Sequence, residues 1–194
     1  YLISVGIMLR SAIAVTNSPD ISTMDMLIYT FYWIAIGIVM QHAGYFLQRF
    51  LLWGRTHPVS STTTASGILD ACIYIVVAMQ VGSNLFGNNE PGPFDLAADT
   101  AVTMLFFVIQ MICTTIAGKL FQLMTSFDDI KAVMEDDNTA VALANGLGLI
   151  AAGILTQQIG SRTVEMAALF AFFFPALIVM HLNRKFVIDK VIMH

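Results

Sequence analysis

Long apolar stretches separated by short polar ones run through the chain. A helix that crosses a bilayer needs about 20 mostly apolar residues. Several stretches reach that length, and each predicts a spanning helix. The five predicted spans are Met24–Trp53, Ala65–Ser83, Phe94 or Leu96–Met124, Thr139–Gln158 and Val164–Leu182. The pattern therefore predicts an all-α fold, a polytopic bundle of transmembrane helices.

The polar breaks divide this pattern into regions, and Gly87–Pro93 (GNNEPGP) is the strongest turn signal among them. A shift of 78 residues pairs Gln158–Ser161 with Gln80–Ser83, so we expect the first four spans to form two parallel two-helix repeats. The predicted regions are an N-terminal interfacial or partial helix (1–23), a first two-helix membrane unit (24–83), a second unit (94–158) and a fifth helix with its tail (164–194).

Composition supports a membrane location. Of the 194 residues, 57% are hydrophobic and 11% are charged, whereas soluble domains carry about 25% charged residues. The formal net charge of −4 offers no basic surface for nucleic acid.

Basic residues set the predicted topology. Seven fall in the first and third connections or the C-terminal tail, and only Arg10 and Arg162 fall opposite. The seven are Arg49, Arg55, Lys119, Lys131, Arg184, Lys185 and Lys190. Because basic loops stay on the cytoplasmic side, the C-terminus is predicted on the cytoplasm, stroma or matrix side of a bacterial inner membrane or an organelle membrane.

An acidic loop leads into the fourth predicted span. Phe127–Ile130 and Glu135–Asp137 precede an Asn-x-Ala-Val-Ala sequence at Asn138–Ala142, which opens a glycine-rich helix. This stretch resembles the small bacterial-type membrane family called domain of unknown function 350, most clearly over residues 103–155. The resemblance is weak over 24–83 and does not extend to 164–194. It implies an integral membrane protein built from pairs of spanning helices, often duplicated, and it implies no reaction.

The fourth span carries small residues at helical spacing. Ala140, Ala144 and Gly148 recur every four residues, and Gly146 and Gly153 extend this small face. In lipid, small residues let helix backbones approach closely. The pattern predicts helix packing, within the chain or with a partner, and a conduction or cofactor-contact face is the other interpretation. Asn145 lies on or beside this face and is expected to find an interhelical partner.

Asp70 is the one acidic residue well inside a predicted span. An intramembrane carboxylate faces the protein interior or water, since exposure to lipid is costly. Asp70 is therefore a candidate ion or proton site, together with Gln110, or else it pairs with Arg49 or Arg55 near the interface.

His42 lies in the middle of the first span. A neutral imidazole there is a candidate axial ligand for haem or a pigment. The alternative is a buried histidine bonded to Gln110 or to a backbone carbonyl. Lipid is the other expected bound molecule, and no metal site is predicted.

No nucleotide-binding loop, nucleophile elbow or metalloprotease motif occurs in the sequence. We therefore expect a non-enzymatic subunit that packs into an oligomer or into a larger energy-converting or membrane-organising complex. Its expected partners are lipids, other membrane subunits or further copies of itself. The alternative is a small ion or proton channel or transporter that uses Asp70 and Asn145.

Overall fold

The structure, a computed structural model, describes residues 2–16, 22–53, 63–85, 96–124 and 128–157, together with residues 178, 179 and 182. The first five of these ranges contain six helices, two of them in 128–157. They are α1 (Leu2–Thr16), α2 (Thr23–Trp53), α3 (Thr64–Asn84), α4 (Leu96–Met124), α5 (Asp129–Met134) and α6 (Thr139–Gln157). The predicted fifth span, Val164–Leu182, lies outside the described residues except at those three positions.

Four of the helices, α2, α3, α4 and α6, are long and apolar enough to cross a membrane. They contain 31, 21, 29 and 19 residues. Each begins and ends within one residue of a predicted boundary. The predicted class, an all-α transmembrane bundle, is confirmed over the described ranges.

Local side chains fix where α3 and α6 begin. The Thr63 hydroxyl accepts a hydrogen bond from the Ser66 amide at 3.3 Å, and the Asn138 side chain accepts one from the Val141 amide at 3.1 Å. A carboxylate oxygen of Asp137 accepts from the Ala65 amide at 2.7 Å, with Asp137 held at φ 47°. These side chains satisfy first-turn N–H groups that lack a partner inside their helix.

The long helices form two hairpins, α2 with α3 and α4 with α6, which run in the same direction. Along the interface of α3 and α6, Gly146 lies against Cys72, Gly153 against Val76, and the Gln157 amide donates to the Met79 carbonyl at 3.1 Å. Both sequences ascend together, so α3 and α6 are parallel. This is the orientation that the 78-residue repeat predicts.

The helices form two layers. One layer is the row α1–α3–α6; in the other, α2 packs over α1 and α3, and α4 packs over α3 and α6. Helix α1 runs lengthwise and antiparallel to α2, with the Gln41 amide donating to the Ser4 hydroxyl at 2.6 Å and the Thr16 and Thr30 hydroxyls 2.6 Å apart. Helix α3 contacts every other helix in the described ranges.

The outer surface of the bundle is apolar. Bulky side chains of α2 such as Phe31 (69% exposed) and Val39 (61% exposed) point outward. Only the hydrocarbon of a bilayer suits so much exposed apolar surface, since a soluble monomer rarely shows large apolar patches.

Candidate functional site

Helix α5 closes one end of the bundle. It lies where α2 and α4 end and where α3 and α6 begin, and we call this the α5 end. The Asp128 carboxylate caps α5 by accepting from the amides of Ile130 and Lys131 at 3.0 and 3.1 Å. Val133 is fully buried, and its carbonyl accepts from the Thr63 hydroxyl at 3.4 Å. Together these contacts hold α5 across the helix ends.

Beneath α5 lies a small cavity, partly open to the surroundings, which we call the end cavity. Trp53, Phe121 and Leu149 contribute apolar walls. Gln122, Asp129 and Asn145 are the polar residues among those that line it. The space inside it is about 20 Å³, enough for roughly one water molecule.

Asp129 is the most informative residue of this cavity. It stands in the first turn of α5 and is only 5% exposed. A buried carboxylate is costly unless a positive group or hydrogen-bond donors stabilise it. Docking of α5 therefore brings a buried carboxyl group to the lining of the end cavity, beside apolar and aromatic residues.

Lys119 borders this region from α4. Its ammonium group donates to the Leu52 carbonyl and lies 3.1 Å from the Gln122 side-chain oxygen. The Gln122 amide also donates to the Leu52 carbonyl at 3.4 Å. These bonds satisfy a carbonyl in the last turn of α2, which has no partner within its own helix.

The candidate ion site Asp70 is engaged in an ion pair. Its carboxylate lies 2.9 Å from the Arg49 guanidinium, which also donates to the Tyr45 hydroxyl at 2.9 Å. The Tyr45 ring stacks on Tyr74, with ring centroids 3.9 Å apart. We call Tyr45, Arg49 and Asp70 the charged cluster. It joins α2 to α3, and Asp70 is not one of the residues that line the end cavity.

Gln110 belongs to a separate group of uncharged polar side chains. Its side-chain oxygen accepts from the Asn84 amide at 2.7 Å, and the Gln80 amide donates to the Gln110 carbonyl at 3.3 Å and to the Thr114 hydroxyl. All four residues are fully buried. We call Gln80, Asn84, Gln110 and Thr114 the amide cluster. It joins α3 to α4, towards the end opposite α5.

Gln48 lies on α2 between Tyr45 and Arg49 of the charged cluster. Its side chain is fully buried, and neither polar atom has a hydrogen-bond partner among the described residues. An amide without partners in a low-dielectric interior carries a desolvation cost. A water molecule or a polar solute beside Gln48 would remove that cost.

His42 is only partly buried. Its Nδ1 atom lies 2.9 Å from the Ile38 carbonyl oxygen of the preceding turn, and its ring packs edge-on against Tyr74. A bond to a carbonyl oxygen requires the proton on Nδ1. The haem or pigment role remains a prediction.

The small residues of α6 divide between two faces. Gly146 and Gly153 are buried against Cys72 and Val76 of α3, where a methyl group on Gly146 would collide with the Cys72 side chain. Ala140 is exposed, and Ala144 is half-buried. Gly148 and Asn145 line the end cavity instead. The sequence predicts one small-residue face. In the structure these residues instead divide between an inner face, against α3, and an outer face.

The comparison with known families fits this arrangement of paired helices. The family model described as Domain of Unknown Function (DUF350) matches residues 1–85 and 95–194. The chain belongs to the DUF350 family. Searches of curated proteins and of solved structures gave no match.

The DUF350 match corrects one expectation. The resemblance was expected to be clear over 103–155, weak over 24–83 and absent from 164–194. The match includes both 24–83 and 164–194. The reason is physical: lipid contact requires apolar side chains without fixing which ones, so spanning helices of one family can differ widely in sequence. Together with the four long apolar helices, the match establishes an integral membrane protein of the DUF350 family.

Sequence reasoning missed Gln48, Gln80, Asn84 and Asp129. Gln48 and Gln80 are amides within predicted spans, and Asn84 directly follows the second one. Those positions were a usable signal, because polar residues in a membrane tend to face the bundle interior. Asp129 gave no such signal. It is one of several acidic residues in its loop, and only the docking of α5 distinguishes it from the others.

Proposed function

We propose that this DUF350 protein is a non-enzymatic membrane subunit that associates side by side with further copies of itself or with other membrane subunits. The observation that carries the proposal is the outer face of α6. Ala140 is exposed on this face, and Leu143 and Leu147 are 49% and 54% exposed. Small residues at four-residue spacing, flanked by leucines, are typical of faces on which membrane helices associate.

The layered fold supports this proposal. Among the described residues, the parallel row α1–α3–α6 ends at α6, and the inner glycines of α6 show how closely a neighbour can pack on this helix. The outward surface of α2 differs, since bulky residues such as Phe31 and Phe46 cover it. Bulky, mobile side chains suit lipid, whereas a shallow surface of alanines and leucines suits another helix.

Disulfide cross-linking tests the proposal. Cys72 and Cys113, the two native cysteines, are both buried, and replacing them with alanine gives a background without thiols. In that background we expect Ala144→Cys, oxidised in native membranes, to form a band at twice the chain mass or an adduct with another polypeptide.

Ala43→Cys on the exposed side of α2 is the matched control. It makes the same substitution on a different outward surface, and we expect it to remain monomeric. If Ala144→Cys forms no intermolecular product, or if Ala43→Cys forms as much, the assembly proposal fails.

A second candidate function, conduction of protons or small ions, is favoured by Gln48. This amide is fully buried and has no hydrogen-bond partner among the described residues, and a hydrated path through the bundle would supply one. In liposomes that contain a pH-sensitive dye, conduction predicts a proton leak above that of protein-free vesicles, which Gln48→Leu abolishes. The variant Asp70→Asn tests whether the conducted ion passes Asp70, as the sequence suggested. Absence of a leak excludes this candidate.

A further inference from the structure

The segment Asp128–Asn138, which we call the strap, crosses the α5 end on few contacts. Its helix, α5, has only six residues, and a helix of that length has no stability of its own in water. Two of the six side chains, those of Asp129 and Val133, are buried. Segments with few buried apolar contacts open locally more readily than the core of a fold. The strap has the features of a segment that opens by itself.

Two features of the docked strap oppose its docking. Asp137 is held at φ 47°, in the left-handed region that a residue with a β-carbon adopts only at a cost. Asp129 is 5% exposed, so its carboxyl group has given up most of the hydration that it has in water. These costs bring the docked strap closer in free energy to an undocked one.

Asp137 also supplies a bond that holds the strap to α3. Its carboxylate accepts from the Ala65 amide at 2.7 Å. The turn that brings it there is closed by a bond from the Asn138 amide to the Ala132 carbonyl at 2.9 Å. The Thr63 hydroxyl adds a longer bond to the strap, at 3.4 Å. Release of Asp137 therefore removes the shorter of these two bonds to α3 and relieves the backbone strain at the same time.

We propose that the strap is a lid on the α5 end, that it alternates between this docked form and an open form, and that Asp137 is its catch. In the open form, Asp137 relaxes to an ordinary backbone conformation, Val133 leaves the core and Asp129 regains water. Opening exposes the end cavity and the first turns of α3 and α6. The lid does not involve the outer face of α6, so it is independent of the proposed assembly.

Thiol labelling of Val133→Cys measures how often the lid opens. With Cys72 and Cys113 replaced by alanine, the introduced thiol is the only one in the chain. Val133 is fully buried in the docked strap, so a soluble maleimide added to the protein in detergent reacts only with the open form. Adding Asp137→Ala removes the carboxylate and keeps the β-carbon. We expect labelling at least about fivefold faster, the usual effect of losing a helix-capping bond.

Matched variants separate the catch from a general loss of structure. Asp137→Asn keeps a side-chain acceptor and tolerates the left-handed conformation, so the labelling rate should stay within about twofold of the parent. Asp136→Ala removes an exposed carboxylate from the same strap and should leave the rate unchanged. Ala78→Cys, placed instead of Val133→Cys, reports on the interior of α3, where Ala78 is fully buried. Its labelling should stay slow in every variant.

Two outcomes overturn the lid. One is labelling of Val133→Cys that is no faster with Asp137→Ala than with Asp136→Ala. The other is an equal acceleration at Ala78→Cys, because the whole bundle would then be opening. If Val133→Cys does not fold, hydrogen exchange of the α5 amides in the chain with its native cysteines makes the same comparison between Asp137→Ala and Asp136→Ala, and equal exchange rates overturn the lid.

Discussion

The charged cluster and the amide cluster both join α3 to a neighbouring helix, but they do so by different means. Arg49 and Asp70 make one close contact between opposite charges, at 2.9 Å. In the amide cluster, Gln110 and Asn84 are neutral and share several donors and acceptors with nearby residues. The comparison shows that the charged cluster holds one neutralising charge for Asp70, that of Arg49, whereas the amide cluster distributes its bonds over several neutral groups.

The largest expected effect comes from breaking the charged cluster. Arg49→Met leaves the Asp70 carboxylate, whose side chain is 22% exposed, without its cation. Removing one partner of a buried pair costs about 3–5 kcal/mol. We expect that decrease in the free energy of unfolding, measured by titration with a denaturing detergent and followed by circular dichroism.

The control is the double variant Arg49→Met with Asp70→Leu, which removes both charges. Replacing a whole buried pair with apolar residues is often neutral, so most of the lost stability should return. A double variant as unstable as Arg49→Met would show that Asp70 does not depend on Arg49.

An intermediate effect is expected from overpacking the contact between α6 and α3, the helix that carries residues of both clusters. In Gly146→Ala, the added methyl group meets the Cys72 side chain. Overpacking of this kind costs about 1–3 kcal/mol. The same unfolding titration measures the loss, and Cys72→Ala in the Gly146→Ala background should restore much of it by making room. No rescue would mean that the two helices do not approach at this point.

The smallest effect is expected from the amide cluster. Gln110→Leu removes the acceptor of the 2.7 Å bond from Asn84, but the Asn84 amide keeps its bond to the Gln80 carbonyl. Hydrogen bonds between membrane helices contribute about 0.6–2 kcal/mol, and we expect a loss in that range. The control Thr115→Val removes a hydroxyl bonded only within α4 and should cost less than about 0.5 kcal/mol. A loss from Gln110→Leu as large as that from Arg49→Met would remove the distinction between the clusters.

The boundaries of the spans were predictable from the sequence, but the inward faces were not. Length and capping place α2 and α6 within one residue of Met24–Trp53 and Thr139–Gln158. In a soluble helix, polar residues mark the outer face. In lipid the outer face is also apolar, so residues such as Leu147 and Leu149 look alike in sequence although one is exposed and the other is buried.

The candidate site was predictable only in part, for a related reason. The pairing of Asp70 with Arg49 was one of two stated alternatives, because a lone carboxylate in a span requires a partner. The end cavity depends on how α5 docks, and docking brings together residues from the ends of α2, α4 and α6 that no local pattern connects. Asp129 acquires its place from that docking.

The Asp137 contact carries a consequence for synthesis in the cell. Its carboxylate closes the first turn of α3 from a position 72 residues further along the chain. A ribosome therefore completes α3, the segment after it, all of α4 and α5 before this contact can form. Helices α2 and α3 must wait in the membrane with one end unfinished, and α3 acquires this cap only after α4 and α5 have been made.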